Sequence, residues 1–156
     1  MGLCSDCKTA ADWGHAVEQA RRNIVIEMVS MTTEKKMVYV AGPLTNGMEN
    51  IDEDYVEDNI KEAIRIATWL VEKGFVPYVP HLTWYWHKEK PDISYEAWLS
   101  MCEEFIRRCD ALYRIDGVSR GADHEVEFAQ SIGLPVFTVQ AQLLEWRSME
   151  RRAGEN

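Results

Sequence analysis

Apolar residues recur along this chain with two different periods, and the switching between them outlines a fold. MVYVA (37–41) is a short apolar run stopped by Gly42-Pro43, the pattern of a buried strand. Between 54 and 73 the period lengthens: Val56, Ile60, Ala63, Ile64, Ala67, Leu70 and Val71 recur at steps of mostly three and four. That spacing predicts an amphipathic helix, with Gly74 as its C-terminal stop. FVPYV (75–79) predicts a second strand, confined to an edge by Pro77 and Pro80. HLTWYWHKEKPD follows as a long aromatic loop or a short helix. Ser94 then caps a predicted helix running to about 108, with Trp98, Met101, Cys102, Phe105 and Cys109 on its inner side. ALYRI (111–115) and PVFTV (135–139) predict two more strands, separated by a helix over ADHEVEFAQSI (122–132). QLLEWRSMERR (142–152) closes the chain as a helix.

Strands alternating with helices predict a single-domain α/β fold over residues 37–156, flavodoxin- or Rossmann-like, with a parallel sheet and helices on both faces. Residues 1–36 are an extension, expected to form one helix with Trp13, Ala16, Val17, Ala20, Ile24 and Met28 along one side.

Charge narrows the partners. A formal net charge of −9 repels nucleic-acid backbones and anionic lipid, so neither is an expected partner. No apolar run reaches the roughly 18–20 residues of a membrane span, and no basic segment followed by an apolar one opens the chain. A cytoplasmic location with reduced thiols is the expectation. Cys4 and Cys7 form a lone CxxC, and His15, His81, His87 and His124 show no ligand spacing. Neither a metal nor a cofactor is expected.

The candidate chemistry lies in SRGADHEVEFAQSIGLPV. With the helix begun at Ala122, Glu125 shares one face with Ala122, Val126, Ala129, Ile132 and Gly133, whereas Asp123, His124, Glu127 and Ser131 point elsewhere. A carboxylate in a small apolar stripe costs several kcal/mol unless it has a partner. Placed in the first helical turn at the carboxyl end of a parallel strand, it would sit where open α/β sheets hold ligands. It can serve there as nucleophile or base, or as a capping or ion-paired Glu.

Three blocks, VYVAGP, CDALYRIDG and SRGADHEVEFAQSIGLPV, resemble the nucleoside 2-deoxyribosyltransferase superfamily, including its nucleotide N-glycosidase and CMP-hydrolase-like branches. Gly121, Glu125, Ala129, Gly133 and Pro135 fall on the steps of that family's nucleophile motif, and the likeness spans about residues 37–138. The resemblance implies that Glu125 attacks the anomeric carbon and displaces the base, leaving a glycosyl-enzyme for water or a second base. It implies that Tyr39 hydrogen-bonds and orients Glu125, that the substrate is a nucleoside or its 5′-monophosphate, and that subunits pair to complete the site. It also places part of the base pocket after the second strand, at His81, Trp84, Tyr85 and Trp86, although an aromatic loop equally suits a subunit interface.

One position departs from the family pattern. Its usual Asp, eight residues before the Asp of the CD pair, is Cys102 here. A thiol cannot orient a sugar or protonate a base as a carboxyl does, so either another acid acts or the chemistry is altered or lost. Gly42 and Pro43 end the first strand beside the expected site. Arg114, in a strand expected to be buried, must reach the pocket or an acidic partner. Ser119, Arg120 and the N–H groups around Gly121 are candidate holders of a 5′-phosphate, with Arg120 alternatively a solvated loop charge.

Overall fold

A computed structural model describes residues 14, 15, 17–19, 21, 22, 35–45 and 51–154. The chain divides into two compact units, Met1–Glu34 and Lys35–Asn156. In the first unit the described residues are helical and exposed, Val17 among them. Trp13, Ala16, Ala20, Ile24, Met28 and the Cys4/Cys7 pair lie outside the described residues.

The second unit is an α/β domain. Strands β1 (Met37–Ala41), β2 (Val76–Tyr78), β3 (Ala111–Arg114) and β4 (Val136–Phe137) form one sheet in the order β2-β1-β3-β4. Every pairing is parallel. Around it stand α1 (Glu53–Glu72), a 3-10 turn (Pro80–Leu82), α2 (Thr83–Glu89), α3 (Tyr95–Ile106), α4 (Arg120–Ser131) and α5 (Gln140–Gly154).

Successive side chains in a strand point to opposite faces, and the two cores follow that alternation. Val38 and Val40 of β1 and Ala111 and Tyr113 of β3 pack with Ile66 and Leu70 of α1 and Leu143 of α5. Tyr39 and Ala41, with Leu112, pack instead with Ile106 of α3 and with Ala122 and Ala129 of α4. Helices therefore cover both faces, and Tyr39 is on the α3/α4 side.

Several boundaries differ from the sequence expectation. Helix α1 starts one residue early because the Asp52 side chain accepts from the N–H groups of Asp54 and Tyr55, an N-cap. Its inward stripe is Val56, Ile60, Ala63, Ile66 and Leu70, while Ile64 and Val71 face solvent. The buried residues keep steps of three and four throughout, whereas Ile64 and Val71 each follow a buried residue by a single step, about 100° further round the helix. Gly74 ends this helix at φ 81°, as expected of a left-handed stop. Strand β4 is only Val136–Phe137, because α5 begins at Gln140 and takes the chain away from the sheet. The aromatic segment resolves into the 3-10 turn and α2. Among the described residues, no helix is long and apolar enough to cross a membrane.

Candidate active site

The chain leaves β1 for β2 on one side, then crosses over to β3 on the other. This reversal opens a crevice at the carboxyl ends of β1 and β3, the position where open α/β sheets bind ligands. A cavity of about 430 Å³ lies there. Its walls include Gly42 after β1, His81 and Trp84 after β2, Cys102 on α3, and Ser119, Arg120, Gly121 and Glu125 at the start of α4.

At its polar end the Tyr39 hydroxyl donates to Glu125 Oε1 at 2.6 Å, a buried contact between β1 and α4. Strand alternation turns Tyr39 toward α4, and the helical step from Ala122 to Glu125 to Ala129 turns the carboxyl back toward the strand. Glu125 is 9% exposed. Burial pushes its carboxyl up to about 7, opposed by hydrogen bonds from Tyr39 and Cys102 and by the charges of Arg114 and His124. Burial, and then the neighbouring Glu125 charge, holds the Tyr39 hydroxyl well above its usual value. The same two causes push the Cys102 thiol up to about 12, so at neutral pH it is a hydrogen-bond donor and not a thiolate.

Helix α4 begins at Arg120, two residues before the expected start, because the Ser119 side chain caps it by accepting from the Ala122 N–H at 3.2 Å. Asp123 therefore occupies the first turn and Glu125 the second. The helix terminus does not hold Glu125 ionised, and burial wins. Ser119 keeps its hydroxyl proton free to donate, and Arg120 is exposed at the cavity rim. A Cβ built on Gly121 would meet only the Tyr95 hydroxyl, at 3.9 Å, so the glycine leaves open space against the backbone.

Other expected residues divide. His81 is 3% exposed, and burial moves its imidazole down to about 4, so it is neutral. A Cβ on Gly42 would lie 3.1 Å from His81 Nε2 and 3.0 Å from Ile115 Cβ, so the glycine is what lets that ring pack against β1. Among the described residues, neither ring nitrogen of His81 nor Trp84 Nε1 has a hydrogen-bond partner.

Pro43 and Arg114 do not line the cavity. Pro43 packs against Gly117, where an added Cβ would come within 2.8 Å of its ring. Arg114 takes the acidic partner instead of the pocket: it donates to Asp123 Oδ1 at 2.9 Å, to the Gly117 carbonyl at 2.8 Å and to the Ile115 carbonyl. It braces the β3–α4 loop and acts on Glu125 through its field. Tyr85 and Trp86 also face away, with Tyr85 donating to Glu57 at 3.0 Å.

Sequence reasoning missed Tyr95 and Leu99, which line the cavity with Trp98 and Cys102. A signal for them exists, since positions 95, 98, 99 and 102 share one helical face, but such a face looks the same as core packing. A second undetected contact joins His124 Nε2 to Glu103 Oε1 at 3.0 Å, tying α4 to α3 beside Glu125 and Cys102. Among the described residues, no group of three His, Cys, Asp or Glu side chains is placed to hold a metal.

No curated protein matches this chain. Residues 36–138, which carry the whole sheet and every cavity-lining residue named above, match the family described as Domain of unknown function (DUF4406), and the chain belongs to that family.

Proposed function

We propose that this protein cleaves the N-glycosidic bond of a nucleoside or nucleoside 5′-monophosphate, with Glu125 as the nucleophile. The observation that carries this reading is the 2.6 Å bond from Tyr39 to Glu125 Oε1, beside a cavity large enough for a small ligand. Tyr39 fixes the carboxylate through Oε1 and orients it for attack on the anomeric carbon. A retained glycosyl ester then goes to water, or to a second base in a deoxyribosyltransferase. The resemblance to the nucleoside 2-deoxyribosyltransferase superfamily supports the same assignment. The deciding experiment incubates the protein with a panel of nucleosides and monophosphates and follows released base by chromatography. Base release from none of them would overturn the reading.

Phosphate should distinguish the branches. Ser119, Arg120 and the N–H groups at the start of α4 offer three kinds of phosphate donor, and charge-assisted bonds are worth about 1.5–3 kcal/mol each. A nucleoside 5′-monophosphate is expected to bind at least about tenfold more tightly than its nucleoside. Arg120→Ala should erase most of that preference in calorimetry. Equal affinities in the native protein would favour a nucleoside deoxyribosyltransferase and leave Arg120 a solvated charge.

Cys102 favours a second reading, a non-catalytic nucleotide-binding or sensor protein. It predicts that nucleotides bind with no base released, in the same panel. For assembly we propose a homodimer or higher homo-oligomer, supported by exposed Leu82, Tyr85, Trp86 and Tyr95 around the cavity segment. Light scattering at micromolar concentration should give at least twice the 18.0 kDa chain mass, and a monomer mass would reject it.

A further inference from the structure

The cavity beside Glu125 is walled by aromatic rings. Trp84, Tyr95 and Trp98 line it together with His87 and Leu99. Aromatic faces attract cations, and the Lys88 ammonium already stands 5.9 Å from the Trp84 ring centroid. The formal net charge of −9 opposes anionic ligands, and a pyridinium offsets one charge of a 5′-phosphate that a neutral base leaves uncompensated.

The same walls are poor in acid. Among the described lining residues Glu125 carries the sole carboxyl group, and Cys102 presents a thiol. His81 is buried and neutral, which leaves the His87 imidazole and the Tyr95 phenol as the remaining candidate acids, and neither is a carboxyl. Breaking the bond to an ordinary pyrimidine or purine leaves negative charge on the departing nitrogen, and a positioned acid speeds that departure by roughly 10²–10⁴-fold. A pyridinium glycoside needs no such acid, because the electrons returning to its ring nitrogen cancel the positive charge already there.

Resting on the N-glycosidase reading above, we propose that this site takes pyridinium N-glycosides, namely nicotinamide riboside and its 5′-monophosphate, in preference to ordinary pyrimidine nucleotides. An oxygen of the Glu125 carboxylate forms a bond to C1′. The bond from C1′ to the pyridinium nitrogen breaks, its electron pair stays on nitrogen, and neutral nicotinamide leaves. Water then attacks C1′ and displaces the Glu125 carboxylate, and one proton passes to solvent. A neutral pyrimidine glycoside would instead end with that proton on the base, so its cleavage releases none.

The test compares nicotinamide mononucleotide, nicotinamide riboside, cytidine 5′-monophosphate and uridine 5′-monophosphate on the full chain. Base release is read by chromatography and proton release in weak buffer. The expected result is release from nicotinamide mononucleotide at least about tenfold faster than from either pyrimidine nucleotide, with one proton per turnover. In Cys102→Asp, which adds an acid that pyrimidines use, the ratio should shift toward the pyrimidines by about tenfold or more. Equal or faster pyrimidine release by the native protein overturns the inference and leaves the glycosidase reading standing. Pyrimidine release that is lost in a folded His87→Gln variant overturns it too, by assigning the proton to that imidazole. Release from none of the four overturns the inference, and the glycosidase reading falls with it only if the wider panel of nucleosides and monophosphates also releases no base.

Discussion

Glu125→Ala should abolish base release, with a loss on the order of 10⁴-fold or more, as when a covalent nucleophile is removed. The fold should survive. The substitution empties a buried polar site between β1 and α4 and leaves the two alanines of the same face, Ala122 and Ala129, in place. The Tyr39 hydroxyl loses its carboxylate acceptor, a local cost of about 1–3 kcal/mol. Glu127→Ala is the control: it lies two residues further along α4, is exposed, and should change release by less than about twofold, as surface substitutions away from special features do. A Glu125→Ala protein that folds and still releases base at the native rate would remove the carboxylate from the mechanism.

The second large effect is on stability and depends on pH. The Glu125 carboxyl is raised from 4.5 to about 7 by burial, so the folded protein holds a proton there that the unfolded chain has lost. The associated stability is fully present below pH 4.5 and declines as pH rises through about 7. Glu125→Gln stays neutral throughout. It should therefore match the native protein near pH 4 and exceed it above pH 8 by about 3 kcal/mol, because each pH unit between the unfolded and folded values is worth about 1.4 kcal/mol. For a chain of this size that corresponds to roughly 6–12 °C in Tm. Calorimetric melts of both proteins across that range would show it, and parallel curves at all pH values would mean that the carboxyl ionises normally. Activity should move the opposite way. A nucleophile must be ionised, so base release should rise with pH through about 7 in the native protein.

Sequence by itself determined the order of strands and helices, the sharing of helices between two faces, and the selection of Glu125 among its neighbours. These follow from short-range rules. Strand alternation places Tyr39 opposite Val38, and helical periodicity separates Glu125 from Asp123, His124 and Glu127. Cap chemistry is legible at Ser94, whose side chain accepts from the Ala97 N–H, and escapes notice at Ser119. Overlooking that second cap shifts the start of α4 and wrongly puts Glu125 in the first turn.

The tertiary structure decided what each charged or aromatic side chain touches. Arg114 and Pro43 look like site residues because they end the strands that flank the crevice. Arg114 is drawn instead to Asp123, nine residues along, and Pro43 to Gly117. Four aromatic or imidazole candidates follow β2, yet only His81 and Trp84 reach the cavity, since a helix of this pitch cannot aim adjacent side chains the same way. The meeting of Tyr39 with Glu125, 86 residues apart, needs β1, β3 and α4 in register. So does the pressure on the Glu125 proton, because desolvation is a property of everything packed around a group and no short stretch of sequence contains it.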